Sequence, residues 1–165
     1  MRYTLGMSKN DTSQMAVAAT LHCLTGCAIG EIVGLLIGTA AGFTTLQTII
    51  LAIVLAFVFG FSLSALPLVK AGMKFGAALA IVLAADTLSI ATMEIADNAV
   101  MAIIPGAMDA GLVNPLFWLS MTLALTVAFF AAYPVNKFLL SRGKGHALLH
   151  AHHNHHEHEG GHHAK

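Results

Sequence analysis

Charge is what this chain of 165 residues has least of: eight Lys and Arg and eight Asp and Glu make up 10% of it, against about a quarter in a globular domain. With 57% apolar residues and a mean hydropathy of +0.78, so few charges would leave a water-facing surface mostly bare hydrocarbon. A conventional soluble globule is excluded, and a bilayer is the natural solvent. The formal net charge is zero, so the basic stripe that nucleic-acid binding requires is missing. Two cysteines are too few for a disulfide framework. None of the four apolar runs carries a His-Glu-x-x-His pattern, and there is no glycine-rich phosphate loop, so the chain is not expected to be an enzyme. Cys23 and Cys27 are separated by three residues where a thioredoxin-like pair has two. On a continuous helix they would stand about 6 Å apart at Cα, near the limit for an undistorted disulfide.

What is present is hydrocarbon in long runs. Crossing a membrane takes about 20 mostly apolar helical residues, and four runs of that kind occur, at about 15–38, 46–69, 75–104 and 115–140. The expected fold is all-α, a polytopic four-transmembrane-helix bundle over 15–141, preceded by a cytoplasmic segment 1–14 and followed by a tail 142–165. The connections are short, as antiparallel neighbours require. A secretory signal peptide is rejected for the first run, which is too long for an apolar signal core and carries His22 and Glu31. Arg2 and Lys9 precede the first run, Lys70 and Lys74 lie between the second and third, and Lys137, Arg142, Lys144 and Lys165 lie at or beyond the end of the fourth. The other two connections hold no Lys or Arg, so both termini and the middle connection are expected on the cytoplasmic side. Trp118 and Tyr133, near opposite ends of the fourth run, fit the interfacial positions that such rings favour.

Beyond Ser141 the composition changes. Nine of the ten histidines fall between residues 146 and 165: His146, His150, His152, His153, His155, His156, His158, His162 and His163. The stretch reads as a disordered His-rich tail, and its irregular spacing with interleaved Glu157 and Glu159 distinguishes it from an expression tag. Such a tail would serve as an auxiliary metal buffer, binding through neutral imidazole and weakening as the pH falls through about 6.5.

The charges inside the spans are unbalanced. Glu31, Asp86, Glu94 and Asp97 lie within predicted helices, where an ionised carboxylate at mid-depth costs about 2.5–3.5 kcal/mol. No Lys or Arg lies in the central part of any span to offset them, and His22 is the one titratable candidate for a cationic partner. The carboxyls must be protonated, hydrated, or neutralised by a cation. At 100° per residue, Asp86, Met93, Glu94, Asp97 and Met101 share a helical face about 100° wide, which should point into the bundle. On the first span Cys23, Cys27 and Glu31 form one stripe at four-residue spacing, and His22, Gly26, Gly30, Gly34 and Gly38 form another. Small residues at that spacing allow close helix approach, so the glycines offer either an intrachain seam or a homo-oligomer interface. Counting rise from the starts of the first and third runs puts Cys27 level with Asp86 and Glu31 just below Glu94.

Several segments together carry a resemblance: His22-Cys-Leu-Thr-Gly-Cys-Ala-Ile-Gly-Glu31, Asp86-Thr-Leu-Ser-Ile90, Met93-Glu-Ile-Ala-Asp-Asn98, Ile104-Pro-Gly-Ala-Met-Asp-Ala-Gly111 and Tyr133-Pro-Val-Asn136. Over about residues 15–150 the chain resembles the bacterial membrane-protein family catalogued as domain of unknown function 4396. The resemblance implies a small multi-pass protein of the bacterial cytoplasmic membrane and no settled activity.

Three functions are compatible with these residues. The first is handling of a transition-metal cation, Cu(I) before Zn(II), by transport or delivery. Its metal ligands would be His22, Cys23, Cys27, Glu31, Asp86, Met93, Glu94, Asp97 and Met101, since thiolate, thioether and imidazole suit those ions. The second is a proton- or sodium-coupled carrier of another solute, with the four carboxyls as relay and the cysteines merely packing. The third is a non-transporting assembly subunit of a membrane metalloenzyme. No organic cofactor is expected.

Overall fold

A computed structural model describes residues 9–141, with side chains from residue 12 onward. The His-rich tail and residues 1–8 lie outside the described residues. The described chain is four helices: α1 (Lys9–Ala41), α2 (Thr45–Lys70), α3 (Phe75–Ile103) and α4 (Pro115–Ser141). All four are long and apolar enough to cross a membrane. Three match the runs expected from hydropathy to within a residue at each end. The first does not, because α1 begins at Lys9, six residues before the apolar run. Asp11 to Gln14 contain no Gly or Pro to stop a helix, so the polar turns continue the apolar one.

The breaks between helices follow from local chemistry. Gly42 at φ +69° and Gly72 at φ +92° end α1 and α2 in the left-handed region, where a Cβ is unfavourable. The two exits are built alike. Phe43 N–H reaches Gly38 O at 2.9 Å and Met73 N–H reaches Leu68 O at 3.1 Å, the six-to-one bond of a Schellman stop. Thr44 caps α2 in a reciprocal box, accepting from Gln47 N–H while Thr44 N–H donates to the Gln47 side chain at 2.9 Å. Pro105 forces Ile104 to an extended conformation that ends α3. Asn114 Oδ1 then accepts from Leu116 N–H at 2.9 Å and opens α4, with Pro115 in its first turn.

Packing is tightest between α1 and α2, then between α3 and α4, and α1 touches all three other helices. The α1–α2 seam is made by the glycine stripe. A Cβ built on Gly26 would stand 2.6 Å from Gly60 Cα, and one on Gly34 2.6 Å from Ala52 Cα. One on Gly30 would run into the Ala56 backbone, and one on Gly38 into the Thr48 side chain. Of the two uses expected for Gly26, Gly30, Gly34 and Gly38, the structure therefore shows the intrachain one. The expectation of a homo-oligomer interface there is corrected, because α2 of the same chain already occupies the stripe. Four-residue spacing reports close backbone approach without saying which helix approaches.

Facing the seam, α4 presents its own small stripe, Ser120, Ala124, Ala128, Ala132 and Asn136, all buried. Asn136 Nδ2 donates to Thr20 Oγ1 at 2.8 Å, and Thr20 donates on to Ala16 O at 2.7 Å, so a buried polar chain joins α4 to α1. The outside of the bundle is a belt of large apolar side chains, among them Leu46, Phe75, Ile95, Ile103, Leu119 and Phe130, as contact with lipid requires.

Candidate functional site

The polar groups inside the bundle fall into two layers. We call the end carrying the α1–α2 and α3–α4 connections the upper end. The lower layer gathers His22 and Cys23 from α1, Ser64 from α2, and Asp86 and Ser89 from α3. Cys23 lies beside Ser64 and Ser89, and Asp86 lies beside Ser64. His22 Nε2 and Ser89 Oγ are buried without a hydrogen-bond partner.

The upper layer gathers Cys27 and Glu31 from α1 with Glu94 and Asp97 from α3. Cys27 lies beside Glu94, and Glu31 beside both Asp97 and Glu94. Glu94 is 4% exposed and Asp97 5%; the Cys27 thiol lies against Glu94 and the Glu31 carboxyl against Asp97, yet no hydrogen bond of ordinary geometry reaches either Glu94 oxygen, Asp97 Oδ1 or Glu31 Oε1. Buried polar atoms are satisfied in the great majority of native interiors, so these carboxyl oxygens on facing helices are exceptions to that rule.

Between the layers lies an apolar plug. Cys23, Cys27, Ile90 and Met93 form one buried cluster with Ala56, Ala128 and Ala132. Ile90 and Met93 are almost wholly enclosed. Asp86 and Glu94 are eight residues apart, about 12 Å along α3, and the two thiols on α1 stand between them.

Above the upper layer a cavity of about 400 Å³ opens toward the connections. Glu31, Glu94 and Asp97 line it, as do Asn98, Met101 and Asp109, and Leu35, Phe43, Ile49 and Phe117 supply apolar wall. Among the described residues that line it there is no Lys, Arg or His. Asp109 Oδ1 accepts from Thr45 Oγ1 at 2.9 Å, which ties the α3–α4 connection to the start of α2 across the cavity mouth. Asn98 Nδ2 donates to Glu94 O at 2.9 Å within α3.

The predicted residues are thus brought together in part. Cys23, Cys27 and Met93 meet in the plug, Glu31, Glu94 and Asp97 meet above it, and His22 and Asp86 share the level below it without a hydrogen bond between them. Met101 does not join the sulfur groups, because it lies two turns above Met93 and packs with Ala110, Phe117 and Met121. Among the described residues no group of three or more His, Cys, Asp and Glu side chains is placed to hold a metal ion. The expected register between α1 and α3 is also corrected. Cys27 stands beside Glu94 instead of Asp86, and Glu31 stands beside Asp97. Measured from the true helix starts at Lys9 and Phe75, Glu31 and Asp97 each lie about 33 Å along their helices, and Cys27 and Glu94 about 27–29 Å. The error came from starting α1 at its first apolar residue.

Ser64, Ser89 and Asp109 escaped the reading from sequence. Both serines sit in apolar runs where a hydroxyl also passes as a small packing residue. Asp109 lies in a connection where no periodicity assigns a face.

One comparison bears on identity. A family profile matches the chain from residue 12 to residue 145, most of its length. The chain belongs to the family described as Domain of unknown function (DUF4396). The match covers α1 from Thr12 onward, the other three helices, both polar layers and the cavity, so these lie within the family's own segment of the chain. No curated protein and no solved structure matches.

Proposed function

We propose that this protein is a carrier of the bacterial cytoplasmic membrane, with both termini and the α2–α3 connection cytoplasmic, that couples movement of a solute to a proton or a sodium ion. Glu31, Glu94 and Asp97 form the outer half of its relay and Asp86, with His22, the inner half. The observation that carries this reading is the set of unpartnered, buried carboxyl oxygens opening into a cavity without a basic side chain. A carboxylate there has to be neutralised by a proton, an ion or a solute, because no side chain of the described residues does it. The plug of Ile90, Met93 and the two cysteines separates the layers, as a closed gate between two access states would.

The test compares two sets of variants in a deletion strain. Glu94→Gln and Asp97→Asn should each abolish the solute accumulation or export that the wild-type gene restores, whereas the double variant Cys23→Ala, Cys27→Ala should retain it. Full function in the acid variants would overturn the reading.

The metal reading, Cu(I) before Zn(II), by transport or delivery, is favoured by a different observation: Cys23, Cys27 and Met93 are buried in one cluster, a sulfur set of the kind that selects Cu(I). Its test is metal analysis of detergent-purified protein lacking residues 146–165. Stoichiometric copper lost in the double cysteine variant would establish it, and absence of bound metal would remove it.

A further inference from the structure

The cavity above the upper layer has a composition that an inorganic ion does not explain. Its volume of about 400 Å³ far exceeds the ~30 Å³ of one water, and it falls in the range of sites for small organic ligands. Its floor is acidic and its walls are not. Glu94 and Asp97 are more than nine-tenths buried, both line the cavity, and three of their four oxygens accept no hydrogen bond of ordinary geometry, with the Cys27 thiol and the Glu31 carboxyl as their polar neighbours. Leu35, Phe43, Ile49 and Phe117 meanwhile offer hydrocarbon and two aromatic rings. A bare or hydrated metal ion has no use for such walls, and among the described residues no three His, Cys, Asp or Glu side chains are grouped to hold a metal ion. An ammonium group differs from a metal ion in this respect. Its N–H donors diverge, so two separate carboxylates can each accept one, while the carbon body attached to it needs an apolar surface.

We propose that the cavity binds a small organic ammonium compound, a primary amine whose charged head is held by Glu94 and Asp97 and whose apolar body lies against Phe43, Ile49 and Phe117. Aromatic faces add attraction for the charge and its neighbouring methylenes. Asp109 at the mouth adds negative potential that raises the local concentration of cations. This names the solute class of the carrier proposed above and rests on that reading only for the movement of the amine, not for its binding.

The test uses the full-length protein in mild detergent and phenethylammonium as probe, titrated by calorimetry against its neutral isostere 2-phenylethanol. The amine is expected to bind about tenfold or more tightly than the alcohol, since a charge-assisted hydrogen bond is at stake. Glu94→Gln and Asp97→Asn should each weaken the amine about tenfold and leave the alcohol unchanged. The comparison of the two ligands on the wild-type protein needs no variant, and helix content by circular dichroism shows whether the variants are folded. Equal binding of amine and alcohol, or no amine binding at millimolar concentration, overturns the inference. So does a folded acid variant that binds the amine as wild type does.

Proteoliposomes separate this result from the carrier reading. If phenethylammonium binds but a pH gradient drives none of it across the membrane, the carrier reading fails and the site stands. If the acids prove essential for coupled movement of another solute while the amine does not bind, the site assignment fails and the carrier stands.

Discussion

At the scale of single residues, the decisive property is the lack of a side chain. Gly30 faces the Ala56 backbone so closely that a methyl group has nowhere to go, and backbone does not yield as the end of a flexible side chain does. Gly30→Ala should lower the stability of the bundle by at least about 1–3 kcal/mol, read as a fall in the detergent melting temperature. Gly76, in the first turn of α3, is the counterpart. A Cβ there meets nothing within 4 Å, so Gly76→Ala should raise stability by about 0.5–1 kcal/mol through the helical preference of alanine alone. If the two substitutions behave alike, the α1–α2 seam is not as described. The sequence showed that Gly30 belongs to a close-packed stripe, since the spacing carries that information. It could not show that Ala56 is the partner, because Ala56 looks no different from the other small residues of the second run.

At the scale of elements, the helices were legible because the bilayer leaves the backbone no alternative: every peptide group must be satisfied within the span. The face of α3 was legible for a related reason, since intramembrane acids avoid lipid and a 100° rotation per residue places them. The level at which α1 meets α3 was not, because the polar turn before Met15 is helical and hydropathy is blind to it. The cavity was not legible either, since it is lined from all four helices and both upper connections, whose mutual placement no periodicity carries. The contact between α1 and α4 is a pair that periodicity alone does not reveal, the bond from Asn136 to Thr20. A double-mutant cycle of Asn136→Ala with Thr20→Val should give a coupling energy of about 0.6 kcal/mol, with about 1.7 kcal/mol as the upper limit for such bonds in membranes. Zero coupling would mean that the two side chains do not meet.

At the scale of the whole molecule, the zero net charge conceals two separated populations. The basic residues cluster toward the ends of the chain and around the α2–α3 connection, whereas four of the eight acids, Glu31, Asp86, Glu94 and Asp97, lie well inside helices. The first population sets the proposed orientation, which single-cysteine labelling can check. In a background of Cys23→Ala, Cys27→Ala, a membrane-impermeant thiol reagent applied to intact spheroplasts should label Val113→Cys and spare Ala71→Cys; both positions are exposed in connections. The reverse pattern would invert the topology. Deleting residues 146–165 removes nine of the chain's ten imidazoles. It should eliminate most binding of Zn(II) to the purified protein while leaving its melting temperature unchanged.

The glycine seam also bears on how the protein is made. Helices α1 and α2 are consecutive in the chain and fit backbone to backbone, so they can close as a hairpin before α3 leaves the ribosome. That order matters for α3, which carries Asp86, Glu94 and Asp97 and is the helix least suited to standing alone in lipid. When it enters, α1 and α2 are already in place to receive its acidic face. A seam-breaking substitution would therefore be felt first at synthesis, as α3 left outside the membrane or given up to proteolysis, before any effect on the finished bundle is measured.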